Sequence, residues 1–229
     1  MLSQIAAYHR SLKNHMFYPI ALSSLLAVGI FCGRVILSHN WIVYRNLVWN
    51  LFLAWIPYLV SLLVAYLFRQ QRRRWWLVVL FGFIWLIFFP NAPYLLTDFL
   101  HLQERPYVPV WYDILLLATF AWTGCFLGIA SLRIMQGMVE SFLGKIISWL
   151  FVMLAIGASS LGVYLGRFSR WNSWDILTQP EVILAEVVGK VSDPFNNLRF
   201  LGFTLLFISF LTVSYLTFIS MHHVKENEQ

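Results

Sequence analysis

Six apolar segments, each near the roughly 20 residues that a helix needs to cross a bilayer, constrain this chain more than any other feature. They lie at residues 17–37, 47–68, 75–96, 112–135, 146–166 and 198–221. The apolar runs are unbroken rather than alternating, which disfavours a transmembrane β-barrel. Only 11% of the residues are charged, against about 25% in soluble proteins. The sequence therefore predicts an all-α, polytopic integral membrane protein, a six-helix transmembrane bundle that forms one domain over residues 1–229.

The lysines and arginines predict how the chain is oriented. The formal net charge is +6. The basic residues cluster in short loops between apolar segments, as membrane orientation requires. Nucleic acid is therefore not an expected partner. The densest basic cluster is the very short loop at residues 69–74. Because such loops stay in the cytoplasm, we expect both termini to be cytoplasmic and the chain to lie in the cytoplasmic (inner) membrane.

A proline-containing polar turn ends the third predicted span. Pro90 and Pro93 stop a helix of membrane length, and Asp98 and His101 follow, three residues apart. One helical turn places such a pair on the same side. Because ionisable residues at membrane depth indicate function by default, Asp98 and His101 are the candidate catalytic residues.

A second polar loop, residues 167–175, follows the fifth predicted span. With the N-terminus inside, the first, third and fifth loops all face the outside. The topology therefore gathers the candidate ligand-binding residues at the extracytoplasmic face: Asn91, Tyr94, Asp113, Arg167, Arg170, Asn172, Trp174 and Asp175. Arg34, near the end of the first span, is expected beside them.

Three interpretations of this polar cluster remain open. In the first, Asp98, His101, Asp113 and Asp175 bind a divalent metal through oxygen and imidazole ligands. In the second, Asp98 orients His101 as a general base and the two arginines of the second loop bind a phosphate or carboxylate, which suits lipid-headgroup or polyprenyl-phosphate chemistry. In the third, Thr97 caps a helix and the arginines only neutralise the aspartates. The sequence identifies no cofactor.

Two further patterns concern packing. Glycines recur at small-xxx-small spacing in three spans, at residues 29 and 33, 124 and 128, and 162 and 166. Such spacing lets helix backbones approach closely, and we expect it to serve packing within the bundle rather than dimerisation. In the last outer loop, Pro180 precedes apolar residues at 183, 184, 187, 188 and 191. This predicts an interfacial amphipathic helix over residues 178–192, which either covers the helix ends or gates a site.

The motifs Pro90-Asn91-Ala92-Pro93-Tyr94, Thr97-Asp98 with His101, and Asn172-Ser173-Trp174-Asp175 resemble those of a family of bacterial multi-pass membrane proteins. That family is catalogued only as a domain of unknown function. The resemblance covers about residues 20–220. It implies a six-helix membrane protein without an assigned activity, and it carries over no catalytic residues.

The residues themselves lead to two expectations for function. The first is a polar site at the extracytoplasmic face that binds or processes a lipid headgroup or another anionic ligand, with membrane lipids as partners; whether this makes the protein an enzyme stays open. The alternative is a non-enzymatic accessory subunit or assembly factor of a membrane protein complex. A transporter ranks last, because most spans carry no charge in mid-span.

Overall fold

The computed structural model describes residues 16–70, 75–193 and 195–226. The helices are, in chain order, α1 Phe17–Ser38, α2 Arg45–Gln70, α3 Trp75–Phe88, α4 Asn91–Tyr94, α5 Val110–Tyr164, α6 Asp175–Thr178, α7 Pro180–Ser192 and α8 Leu198–Glu226. A 3₁₀ helix, Leu95–His101, follows α4, and a π-helical turn, Leu165–Ser169, follows α5. No β-strand occurs in the described residues, so the prediction of an all-α protein is confirmed.

Five helical segments in the described part of the chain are long and apolar enough to cross a membrane: Phe17–Ser38, Arg45–Phe68, Trp76–His101, Val110–Ser169 and Leu198–Met221. Their mean hydropathy lies between 1.8 and 2.2. A helix satisfies its backbone hydrogen bonds internally, which the hydrocarbon core of a bilayer demands. The chain is therefore a multi-pass transmembrane protein.

The fourth of these segments contains two predicted spans, 112–135 and 146–166, and all but its last turn is the 55-residue α5. At about 1.5 Å per residue, a straight helix of that length would extend roughly 80 Å, against a bilayer core of about 30 Å. Gly144 interrupts α5 with φ 82° and ψ 173°, a conformation that favours glycine. Gly124 and Gly162, on either side of the break, both contact the segment after α3, so the two halves of α5 run antiparallel. The two predicted spans are thus joined by a kink rather than a loop.

The prolines at the end of the third predicted span change the type of helix without reversing the chain. α3 ends at Phe88, before Pro90 and Pro93. Prolines donate no backbone hydrogen bond, so a regular α-helical ladder cannot run through them. The short α4 and the tighter 3₁₀ helix carry the chain on to His101. The helical segment therefore ends at residue 101 rather than at the predicted 96.

The apolar core is arranged around α5. The first half of α5 packs with α1 and α2 around Phe120 and Leu127, which are both fully buried. The second half packs with α3 and α8 around Trp85 and Val152. α5 is thus the central element, and the segments that contact it are fixed by that contact.

α7 begins at Pro180, rather than at the predicted residue 178. Its Ile183 is buried against Tyr164 of α5 and Phe200 of α8. The neighbouring apolar side chains Val182, Leu184, Val188 and Val191 are exposed. α7 therefore rests on the ends of two long helices and leaves much of its apolar surface uncovered.

Candidate functional site

The turn after α3, residues 89–95 (the proline turn), is held between two glycine pairs, one in the first half of α5 and one across its C-terminal end. An added Cβ at Gly124 would lie 2.4 Å from the carbonyl oxygen of Ala92, and one at Gly162 would lie 2.7 Å from Cγ of Pro90. The glycines four residues further on, at 128 and 166, also contact this turn. The expectation that glycine spacing serves packing within the bundle is confirmed for these two pairs. The two halves of α5 thus fix the position of the proline turn.

The 3₁₀ helix after this turn meets the π-helical turn after α5 at the guanidinium of Arg167. We call this arginine and the side chains that contact it the Arg167 cluster. Arg167 donates from Nη2 to Oδ1 of Asp98 at 2.5 Å and from Nε to Oγ1 of Thr97 at 2.8 Å, so Thr97 does not cap a helix. Nη1 of Arg167 lies 2.7 Å from Nε2 of His101, and the guanidinium lies 4.4 Å from the centroid of the Tyr94 ring. With about three residues per turn, the 3₁₀ helix puts residues 98 and 101 on one side. Of the polar residues that the sequence grouped at this face, Asp98, His101 and Arg167 are thus in direct contact.

Arg167 stands between the two candidate catalytic residues. A guanidinium only donates hydrogen bonds, so Nε2 of His101 accepts and the ring proton is on Nδ1. Asp98 accepts from Arg167 through Oδ1 and from the side-chain amide of Asn50 through Oδ2, at 3.1 Å. The Asp98 carboxylate therefore contacts an arginine and an amide, and it does not orient His101 as the general-base interpretation expected.

Asp113 lies apart from this cluster, in an ion pair with Arg34. Nε of Arg34 donates to Oδ1 at 2.6 Å and Nη2 donates to Oδ2 at 3.2 Å, with both side chains 1% exposed. Tyr44 covers the pair, since its ring centroid lies 4.9 Å from the Arg34 guanidinium. Burial raises the pKa of the Tyr44 phenol, which remains a donor and bonds the backbone carbonyl of His101 at 3.1 Å. This pair links α1 to α5 and supports the end of the 3₁₀ helix.

Asp175 is bound within its own loop. Its Oδ2 accepts from the backbone N–H of Asn172 at 2.7 Å and from the Asn172 side chain at 3.1 Å. The three aspartates that the sequence suggested as metal ligands therefore have three different partners. Among the residues that the structure describes, no three His, Cys, Asp or Glu side chains converge to hold a metal ion. The geometry thus does not support the metal interpretation.

A cavity of about 290 Å³ lies between α2, the proline turn and the loop after α5. We call it the tryptophan cavity. Its polar and aromatic lining comes from Trp49, Asn50, Asn91, Tyr94, Arg170, Trp171, Asn172, Ser173 and Trp174. The side-chain amide of Asn91 donates to Oγ of Ser173 at 2.8 Å and so joins two of the walls. Five of the eight predicted ligand-binding residues, at positions 91, 94, 170, 172 and 174, line this one cavity.

A second cavity, of about 310 Å³, is lined by Tyr44, Asn46, Asp98, His101 and Arg105, with apolar neighbours from residues 42–47. We call it the Arg105 cavity. Both candidate catalytic residues line it, and none of the candidate ligand-binding residues does. Seven of the ten residues that the sequence grouped into one site therefore line two cavities, one on each side of the contact between Asn50 and Asp98. The other three, Asp113, Arg167 and Asp175, line neither.

Glu186 of α7 fixes the loop after α5, although it is not among the residues that the sequence indicated. Its carboxylate accepts from the Ser169 hydroxyl, from Nε1 of Trp171 at 2.7 Å and from Nζ of Lys190. Desolvation opposes the charged form, but these hydrogen bonds outweigh it and lower the pKa of Glu186 below its ordinary value. The available signal was the spacing of four residues between Glu186 and Lys190 on a predicted helix.

The apolar helices, with a polar cluster at the end of one of them, define a multi-pass α-helical membrane protein. The chain matches the family described as Protein of unknown function (DUF1361) over residues 49–214, and it belongs to that family. The resemblance to an uncharacterised family that the motifs indicated is thereby confirmed. No curated protein and no solved structure matches the chain.

Proposed function

We propose that the chain crosses the cytoplasmic membrane six times, with the two halves of α5 as separate crossings and both termini in the cytoplasm. The antiparallel course of the two halves around Gly144 supports this count. The basic loop at residues 69–74 supports the orientation, since short basic loops stay in the cytoplasm. In this arrangement the proline turn and the loop at residues 167–175 face the extracytoplasmic side.

At that face, the protein binds the polar headgroup of a lipid in the tryptophan cavity. The observation that carries this proposal is the convergence of Asn91, Tyr94, Arg170, Asn172 and Trp174 on one cavity from two loops far apart in the chain. Ligand sites combine aromatic surface with a few fixed polar groups. Tryptophan also favours the headgroup layer, where one side of its ring is apolar and the other is wet.

The lining indicates a hydroxyl-rich headgroup that carries one anionic group. The amides of Asn50, Asn91 and Asn172 donate to protein acceptors, and their Oδ1 atoms accept no hydrogen bond from the described residues. Those oxygens suit hydroxyl donors of a ligand. Arg170, the one formally charged residue in the described lining, is exposed and forms no ion pair with a described carboxylate. A cation favours an anionic group such as a phosphodiester over an ammonium headgroup.

The Arg167 cluster supports this site structurally rather than chemically. Tyr94 lines the tryptophan cavity and lies beneath the Arg167 guanidinium, and Asn50 lines it while bonding Asp98. Such contacts hold the walls of a site in one arrangement, and a preorganised site binds more tightly than a loose one. The proposed activity is therefore headgroup binding, without a hydrolytic step.

The experiment is a binding measurement on the purified protein in nanodiscs doped with one test lipid at a time. Native mass spectrometry counts bound phosphatidylinositol, phosphatidylglycerol and phosphatidylethanolamine with matched acyl chains. We expect a preference for phosphatidylinositol. Arg170→Gln should lower its affinity about tenfold or more, because a charge-assisted hydrogen bond contributes about 1.5–3 kcal/mol. Trp174→Ala should lower it as well.

The matched controls are Arg199→Gln and Trp122→Ala, two exposed positions that do not line the cavity. Both should bind as the unaltered protein does. Equal binding of the three lipids, or equal losses in the control variants, contradicts the proposal. Purification in a stable complex with another membrane protein, with no lipid preference, would favour an accessory subunit instead.

A further inference from the structure

The Arg105 cavity is separate from the tryptophan cavity and is built from other parts of the chain. Its walls come from the residues between α1 and α2 and from the end of the 3₁₀ helix. Tyr44 forms one wall, and its φ of 64° is uncommon for a bulky side chain. Contacts with Arg34 and with the His101 carbonyl hold Tyr44 in this conformation. The cavity is therefore built around a fixed aromatic ring.

The charges around this cavity leave one cation without a counterion. Asp98 lines the cavity, but both of its oxygens are engaged by Arg167 and Asn50. The guanidinium of Arg105 lies 5.3 Å from the centroid of the Tyr44 ring. Arg105 forms no ion pair with any described carboxylate, and its buried Nε has no hydrogen-bond partner. A buried guanidinium donor without an acceptor is costly, and an anion would satisfy it.

His101 adds a second donor on the same cavity. Its Nε2 accepts from Arg167, so the proton is on Nδ1, and the side chain is exposed. A neutral imidazole N–H beside a guanidinium provides donors to oxygen anions without requiring a further charge. The Asp98 carboxylate does not oppose the anion fully, because Arg167 neutralises it. The donor set therefore favours an anion over a cation or a neutral apolar ligand.

The surroundings indicate the depth of the cavity in the membrane. Trp41, Tyr107 and Trp111, on the loops and helix end beside it, are 60%, 84% and 60% exposed. Aromatic side chains of this kind concentrate where the headgroups meet the hydrocarbon. The anionic oxygens that are abundant at this depth belong to phosphate groups.

We infer that the Arg105 cavity binds a phosphate group through donors from Arg105 and His101. The phosphate belongs either to a lipid headgroup or to free inorganic phosphate. The fork of N–H donors on arginine matches two phosphate oxygens, whereas a lysine at this position would offer a single point charge. The site is separate from the tryptophan cavity and does not depend on it.

The test measures phosphate binding by the full chain in nanodiscs of a zwitterionic lipid. One arm titrates inorganic phosphate, and the other dopes the nanodisc with phosphatidic acid. Arg105→Gln should weaken binding about tenfold or more in whichever arm binds, because two charge-assisted hydrogen bonds are lost. Arg105→Lys should weaken it less. Binding in the first arm alone identifies free phosphate, and binding in the second identifies a lipid phosphate.

A second variant and a control make the test independent of any effect on folding. Asn46→Asp adds a negative charge to the exposed rim of the cavity without altering Arg105, and it should also weaken binding. Arg45→Gln removes an exposed arginine that does not line the cavity, and it should leave binding unchanged. Unchanged binding in Arg105→Gln, or an equal loss in Arg45→Gln, would overturn the inference, as would no binding in either arm.

Discussion

The ion pair between Arg34 and Asp113 provides the sharpest test of the bundle. Both side chains are 1% exposed, and two parallel hydrogen bonds of 2.6 and 3.2 Å join them. Two unit charges about 4 Å apart attract by about 4 kcal/mol at an effective dielectric constant of about 20. Arg34→Met leaves the Asp113 carboxylate buried without a counterion, and we expect the free energy of unfolding to fall by about 3–5 kcal/mol.

Removal of both charges should cost far less than removal of one. Arg34→Met combined with Asp113→Leu leaves no buried charge, and apolar replacements of buried ion pairs are often neutral or stabilising by about 1–4 kcal/mol. The double variant should therefore recover most of the stability that Arg34→Met loses. Lys190→Gln is the control, because its ion pair with Glu186 is more than a fifth exposed on each side, and exposed pairs contribute at most about 1 kcal/mol.

The assay is equilibrium unfolding of the protein in mixed micelles with increasing SDS, followed by circular dichroism. A double-mutant cycle gives the coupling free energy between positions 34 and 113 directly. Additive losses in the double variant would refute the reasoning, since they would mean that each side chain acts alone. A loss in Lys190→Gln as large as in Arg34→Met would refute it as well.

Three further predictions concern packing, acidity and topology. Gly124→Ala should destabilise the protein by about 1–3 kcal/mol through overpacking, because the added Cβ would lie 2.4 Å from the carbonyl oxygen of Ala92. The control is Gly137→Ala, where an added Cβ has no atom within 4 Å. In the same unfolding assay this control should be neutral or stabilising by up to about 1 kcal/mol. The pKa of Glu186 is lowered in the folded protein, so its contribution is full above the unfolded pKa of about 4.3 and is lost as the pH falls through the lower folded value. The protection factors of the α7 amides, which are corrected for the intrinsic pH dependence of hydrogen exchange, should therefore fall in acid, and Glu186→Gln should show low protection at every pH. Protection factors that are independent of pH in the unaltered chain would contradict this. In a cysteine-free background, single cysteines at Tyr107 and Lys145 should react with an impermeant maleimide from opposite sides of the membrane, and labelling from one side would exclude six crossings.

The long helices could be predicted from the sequence because lipid imposes length and apolarity on every crossing. The same rule does not reveal how two predicted spans are joined. Residues 136–145 contain polar side chains that suit a loop, yet they remain helical except at Gly144. Hydropathy does not distinguish a glycine at positive φ from any other glycine. The reversal of the chain at Gly144 is apparent only from the packing of both halves of α5 on the proline turn.

The candidate site could be predicted in part. The spacing of Asp98 and His101, together with the side of the membrane assigned to Arg167, was enough to bring these three residues together. Their roles were not predictable from the sequence. Whether Asp98 bonds His101 or Arg167 depends on the direction in which each side chain points. Tyr44 and Arg105 were missed for another reason. Each stands alone in a loop, and neither belongs to a repeating pattern or motif.

The distance along the chain between the partners of the Arg167 cluster has a consequence for biosynthesis. Asp98 is synthesised 69 residues before its partner Arg167, so the carboxylate of this pair comes first. In the other buried pair the arginine comes first, because Arg34 is synthesised 79 residues before Asp113. A nascent chain that ends before Arg167 therefore exposes an unneutralised carboxylate at the edge of the third crossing, where contact with lipid is costly. We therefore expect that edge to stay beside water or headgroups until the second half of α5 has been made. The contact that neutralises Asp98 thus cannot form before residue 167 has been made.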